Sequence, residues 1–294
     1  MSTHPAGRFA PSPSGDLHLG SLRTAVLAWL FARSSERRFV LRVEDLDRVR
    51  PGVMDRQLGD LEAIGLDWDG PVVRQSARIA LYAAAVERLR RAGLTYECFC
   101  TRREIGESAS APHGIPGAYP GTCRDLTELE RSRKRAERPA AVRLRSAVTE
   151  FVVHDMLRGE HTGPVDDVVL VRNDGVAAYN LAVVVDDADQ LIDQVVRGDD
   201  LLDSAPRQAY LASLLELPEC TYAHVPLALN VRGQRLAKRD GSVTMADLAE
   251  EGIGPSGVVG RIARSLRMEG RTPGEMLDEF DPVRLPAEPW VVST

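Results

Sequence analysis

The sequence predicts an α/β fold: a doubly wound parallel sheet of Rossmann-like type, with an inserted subdomain and a short helical C-terminal region. Three observations lead there. Residues 1–97 alternate strand-like and helix-like segments with glycines at the joins. A Gly/Pro/Ser-rich turn follows the first strand, at the strand end where such sheets bind ligands. Periodicity then disappears between Cys98 and Cys123, which marks an insertion that needs its own stabiliser. At 294 residues, 44% hydrophobic and 27% charged, the chain has ordinary globular composition and the length for about two domains.

Taken in order, Arg8-Phe9-Ala10 is extended and runs into the turn Pro11-Ser12-Pro13-Ser14-Gly15. Leu22, Val26 and Leu30, flanked by Leu27 and Phe31, recur at helical spacing and predict a helix from about Leu19 to Arg33. Phe39 to Val43 is a β-branched and aromatic strand. Helices follow from Val53 to Ile64 and from Arg78 to Ala92, closed by Gly65 and Gly93. Thr95 to Phe99 reads as another strand. Arg131 to Arg145 carries seven basic residues against one acidic, either a helix face for a phosphate backbone or a solvated helix. Strands resume at Asp167 to Arg172 and Leu191 to Val196, a helix runs from about Ser204 to Leu217, and the tail from Thr244 is helical and then irregular.

The net charge of −6 argues against indiscriminate coating of nucleic acid or membrane. The longest apolar run near the N-terminus, Ala25 to Ala32, stops at Arg33, far short of a bilayer span, so a cytoplasmic protein with no membrane partner is expected. Three of the four cysteines, Cys98, Cys100 and Cys123, cluster within the insertion, which suggests metal more than disulfides.

Two stretches carry chemistry. In Arg8 to Ser21, Gly15 and Gly20 leave room for a ligand against the backbone. The helix starting near His18 aims free N–H groups at that space, a setting for phosphate, and His18 can donate to a phosphoryl oxygen. In Gly233 to Ser242, glycines flank Arg235, Lys238 and Arg239, cations suited to closing over a polyphosphate. Taken singly, the first could be a capped turn with a surface histidine and the second a solvated basic loop.

Together they resemble the paired signatures of class I aminoacyl-tRNA synthetases, here His18-Leu19-Gly20-Ser21 and Arg235-Leu236-Ala237-Lys238-Arg239. Phe9 to Gly20, Leu41 to Asp47, Gly65 to Pro71, Val196 to Leu202 and Pro206 to Gln208 are similar to the glutamyl branch in the same order. The loop departs from the family pattern at Arg235, Ala237 and Arg239 but keeps Lys238, the cation that the family uses on ATP. The resemblance implies catalytic roles for His18 and Lys238, ATP contacts from Gly15, His18, Gly20, Ser21, Arg235 and Lys238, and Mg²⁺ with the ATP. It also implies an amino-acid site of Arg8, Ala10, Ser12, Glu44, Tyr179 and Arg197. Charge balance agrees: glutamate needs two cationic forks and one anion, which Arg8, Arg197 and Glu44 can supply.

Three thiolates can fill three corners of a structural zinc site. His113 is the default fourth ligand by chemistry. The pattern Cys98-x-Cys100 with Tyr119-x-x-x-Cys123 is similar to that of the glutamyl-Q tRNA(Asp) synthetases, and this resemblance implies Tyr119. Cys220 reads as an ordinary core or loop residue, and Asp186, Asp187 and Asp189 as an acidic surface turn rather than a magnesium site.

The expected division is 1–97 and 166–230 as the two halves of the catalytic domain, 98–165 as a zinc-binding, acceptor-type insertion with the basic segment, and 231–294 as lysine loop and helical tail. So little chain follows Arg239 that no anticodon-binding domain is expected. The resemblance then implies a monomeric ligase that makes glutamyl-adenylate from L-glutamate and ATP and passes the glutamyl group to the queuosine base of tRNA(Asp). A shortened enzyme charging the 3′ end of tRNA(Glu), or a non-catalytic binding module, fits the same residues.

Overall fold

The structure is a computed structural model and describes residues 4–101, 103–105, 119–234, 236 and 243–292. In chain order its main elements are β1 (Ala6–Phe9), α1 (Leu19–Ser34), β2 (Arg38–Val43), α2 (Val53–Ala63), β3 (Val73–Arg74), α3 (Ile79–Arg91) and β4 (Thr95–Cys98). Next come α4 (Glu128–Glu137), β5 (Ala141–Leu144), β6 (Glu150–Asp155), β7 (Gly159–Pro164), β8 (Val169–Val171), α5 (Tyr179–Asp189) and β9 (Ile192–Gly198). The remainder is α6 (Ala205–Leu214), β10 (Thr221–Val225), β11 (Ala228–Leu229), α7 (Met245–Glu250), α8 (Pro255–Ser265), α9 (Pro273–Leu277) and β12 (Trp290–Val291).

A seven-stranded sheet in the order β3-β2-β1-β9-β10-β6-β7 organises the molecule. Every pairing in it is parallel except the β6–β7 hairpin at one edge. The expected α/β architecture is present, and it explains why β1 is buried along its whole length: helices cover both faces of a parallel sheet. α1 is apolar on nearly every side, with Leu22, Leu30 and Phe31 at most 1% exposed, so it is a core helix rather than an amphipathic one. Each such side chain contributes roughly 1.5–3 kcal/mol by burial.

Two expectations change. The segments Thr95 to Phe99 and Asp167 to Arg172 do form strands, but β4 and β8 flank β5 in a separate antiparallel sheet. The hairpin β6–β7 was not legible at all. Its inward positions include Asp155, a carboxylate that breaks the apolar alternation by which a strand is recognised. The basic segment is not one helix either: α4 stops at Glu137, Pro139 follows, and β5 begins at Ala141. Most of its charge is spent inside the subdomain. Arg135 pairs with Glu97 and Glu128, Arg138 with Glu104 and Arg145 with Asp125, while Arg143 is buried against the Asp167 carbonyl. Among the described residues no helix is long and apolar enough to cross a membrane.

Candidate active site

Register alone brings the charged candidates together. β1 lies between β2 and β9, with Phe9 opposite Leu41 and Gly7 opposite Gln194. Arg8, Glu44 and Arg197 therefore sit at the carboxyl ends of three adjacent parallel strands, where open α/β sheets hold ligands. The Glu44 backbone N–H donates to the Pro11 carbonyl at 3.0 Å, fastening the strand end to the Pro11–Gly15 turn. Gln57 secures the turn's other side through the carbonyls of Ser12 (3.1 Å) and Gly15 (2.6 Å). Ala10 links β1 to this turn.

A cleft of about 870 Å³ opens here, with Ser12, Glu44, Tyr179, Asn180 and Arg207 among its walls. Desolvation raises the Glu44 carboxyl above its ordinary value, against the pull of Arg42 and Arg8. The Tyr179 phenol is raised by desolvation first and by the Glu44 charge second, while Arg197 and Arg8 pull it down. These side chains share one electrostatic neighbourhood.

Both arginines are held from behind. Arg8 is 3.3 Å from Asp187 and donates to the Val196 carbonyl at 3.4 Å. Arg197 donates to His224 Nε2 (3.0 Å), Gln208 Oε1 (2.7 Å) and the Leu201 carbonyl (3.2 Å). The acidic group at 186–189 is no surface turn. Asp186 and Asp187 lie buried on α5, where Arg42 and Arg78 hold Asp186 and Arg42 and Arg8 hold Asp187. The arginines neutralise them, so no magnesium site forms there.

His18 is the N-cap of α1 rather than a first-turn residue. Its Nδ1 accepts from the Ser21 N–H at 3.1 Å and its Nε2 lies 3.1 Å from the Ser21 hydroxyl. Because Nδ1 is an acceptor, the ring proton sits on Nε2, where it faces the Ser21 hydroxyl. A Cβ at Gly20 would meet Ala228 Cβ at 3.0 Å and His18 Nδ1 at 3.1 Å, so this glycine makes room for protein atoms and not, as expected, for a ligand. Lys238, Arg235, Ala237 and Arg239 lie outside the described residues. Their described neighbours are anchored close by: Leu236 is buried in the core around α1, the Val243 carbonyl accepts from Leu19 N–H at 2.9 Å, and Thr244 bridges to His18.

The sulfur atoms of Cys98, Cys100 and Cys123 lie within 4.8 Å of one another, with Cys100 and Cys123 3.5 Å apart. Thiolates about 2.3 Å from a tetrahedral zinc ion stand roughly 3.8 Å apart, so the spacing fits. The Tyr119 hydroxyl is 3.3 Å from Cys98 Sγ and 3.7 Å from Cys100 Sγ, and it accepts from the Cys123 N–H at 2.8 Å. The Arg143 guanidinium lies 3.7 Å over the Tyr119 ring. His113 lies outside the described residues.

Sequence reasoning missed the side chains behind the arginines. Arg42 and His224 are each 0% exposed. Each is a charged or titratable residue within an otherwise largely apolar strand of a parallel sheet, where burial demands a partner, but the sequence does not say which one.

Comparison with known proteins agrees with this geometry. A family model described as "tRNA synthetases class I (E and Q), catalytic domain" matches residues 6–274. A Nocardia farcinica protein named "Glutamyl-Q tRNA(Asp) synthetase" is 67% identical over 289 residues, which is 98% of this chain and 93% of that protein. One of the same name from Cutibacterium acnes is 53% identical, covering 94% of this chain and 80% of its own length. Among solved structures, a glutamate tRNA ligase from Elizabethkingia meningosepticum in complex with its amino acid superposes with a TM-score of 0.84 at 29% identity, over 99% of this chain and 67% of that one.

Proposed function

The chain belongs to the class I (E and Q) tRNA synthetase family, and from that premise we propose that it activates glutamate with ATP and transfers it to the queuosine base of tRNA(Asp). The single observation that carries the glutamate half is the meeting of Arg8, Glu44 and Arg197 at neighbouring strand ends, beside the histidine-capped start of α1. Arg197 and Arg8 offer guanidinium groups to the two carboxylates, Glu44 takes the ammonium, and Tyr179 and Ser12 stand in the cleft wall with Ala10 behind. The names of the relatives support the acceptor.

In the first step a glutamate carboxylate oxygen attacks the α-phosphorus of ATP in line, a P–O bond forms as the bond from that phosphorus to the α–β bridging oxygen breaks, and pyrophosphate leaves; Mg²⁺ bound with the ATP would neutralise phosphate charge. His18 Nε2–H and the Ser21 hydroxyl, at the start of α1 and beside Gly15 and Gly20, receive the phosphates, and Lys238 with Arg235 brings positive charge to them. In the second step a hydroxyl of the queuosine ring attacks the acyl carbon and AMP departs. Cys98, Cys100, Cys123 and Tyr119 would hold a structural zinc ion, which would tie the insertion together rather than take part in the chemistry. The working unit in this reading is a cytoplasmic monomer.

Exchange of labelled pyrophosphate into ATP tests the activation step. It is expected with glutamate and not with glutamine or aspartate, and to drop in Arg197→Ala. Exchange independent of glutamate would refute the assignment.

A further inference from the structure

Behind Arg197 runs a buried chain of polar groups that the reaction as described does not use. His224, on β10, places Nδ1 2.6 Å from an Asp155 carboxylate oxygen and accepts from Arg197 Nε at its Nε2, 3.0 Å away. Both side chains of the His224–Asp155 pair are 0% exposed. A guanidinium can only donate, and an ionised carboxylate can only accept. The imidazole is thereby fixed as the neutral form with its proton on Nδ1. Asp155 is itself held by N–H groups of Leu157, Arg158 and His224, so the chain begins in the turn of the β6–β7 hairpin.

The consequence falls on Arg197. His224 takes its Nε–H, Gln208 one hydrogen on one terminal nitrogen, and the Leu201 carbonyl one on the other. One N–H remains on each terminal nitrogen, the pair that an end-on carboxylate can bridge. Without an acceptor at His224 Nε2, a buried guanidinium N–H loses its partner, and the side chain gains by turning to find another.

We propose that His224 is the positioning residue that sets Arg197 for the substrate carboxylate, and that the enzyme grips glutamate only while this imidazole is neutral. The inference rests on the reading of Arg197 as a glutamate contact. Protonating Nε2 would set N–H against N–H. The groups facing the ring are Asp155 on β6, Arg197 on β9, His161 on β7 and Tyr222 on its own strand, stacked at 5.8 Å. Desolvation, Arg197 and His161 oppose the charged form and Asp155 favours it, with the balance below the ordinary histidine value.

Glutamate-dependent pyrophosphate exchange, measured at saturating ATP across pH, provides the test with wild type, His224→Asn and His224→Gln. Asparagine cannot reach the Nε2 position. It is expected to raise KM for glutamate ~10–100-fold, the loss of one hydrogen bond to a charged group, while KM for ATP stays within about twofold. Glutamine supplies an oxygen near Nε2 that does not titrate. It is expected to keep KM near wild type at neutral pH and to remove the rise in KM expected of wild type as pH falls through the native value of His224, which lies below its ordinary 6.5. That rescue separates positioning from mere packing. Unchanged KM for glutamate in His224→Asn, or an acid limb that persists in His224→Gln, overturns the proposal. Wild-type exchange that ignores glutamate overturns the underlying reading and this inference with it.

Discussion

Arg42 lies 2.7 Å from Asp187 with its side chain 0% exposed, and Asp187 reaches on to Arg8 at 3.3 Å. A charge in β2 thus fixes, through one carboxylate on α5, the buried Arg8 guanidinium of β1. The Coulomb attraction of Asp187, Glu44 and Asp186 outweighs the cost of burying Arg42, whose pKa is raised despite desolvation being the largest single influence. Removing one partner strands the others. Arg42→Met is expected to lower unfolding free energy by about 3–5 kcal/mol in a urea titration. A loss below about 1 kcal/mol would show that the cluster rearranges freely.

Gly20→Ala tests how tightly the start of α1 is packed. The new methyl must displace either Ala228 or the His18 ring, both about 3 Å away. Because the ring bears the donor for phosphate, the exchange rate is expected to fall ~10–100-fold, the scale of a small misplacement of a catalytic group, with the fold retained by circular dichroism. An unaltered rate would mean that Ala228 yields in place of the ring, or that the position of His18 does not matter.

Cys100→Ser is expected to lose stoichiometric zinc, read by metal analysis of purified protein, and to lower Tm. Tyr119→Phe keeps the three thiolates but vacates the corner 3.3 Å from Cys98 Sγ. Zinc affinity should then drop by at least the ~10-fold that even an outer partner is worth. Equal affinity in wild type and Tyr119→Phe would assign the fourth ligand elsewhere.

Stability should fall in acid in two stages. His224 has a native pKa below its ordinary 6.5 and Asp155 one below its ordinary 3.8, so the unfolded chain binds more protons than the native one in both windows. The His224 contribution is full above about 6.5 and is lost as pH falls through its native value. That of Asp155 is full above about 3.9 and fades as pH falls further. Tm followed against pH should show the first limb in wild type and not in His224→Gln; identical curves would contradict the neutral native state of His224.

What could be read from the sequence was what periodicity and local spacing encode. α1, β2, α2 and α3 were readable because their apolar residues recur at helical or strand spacing. Glu44 and Arg197 stood out because they lie in short runs of known pattern. The partners Arg42, Asp155, Asp187 and His224 were not, since which strand neighbours which is decided by sheet order. β1 touches β9 across more than one hundred and eighty residues of chain. The fate of the basic segment was hidden for the same reason: Arg135 and Arg143 are absorbed by Glu97 and Asp167, carboxyl and carbonyl groups from other elements.

The most direct measurement offers radiolabelled glutamate and ATP to the enzyme with tRNA(Asp) that carries queuosine and with the same tRNA lacking it. The account expects label on the queuosine-bearing tRNA alone. Equal labelling of both would contradict it.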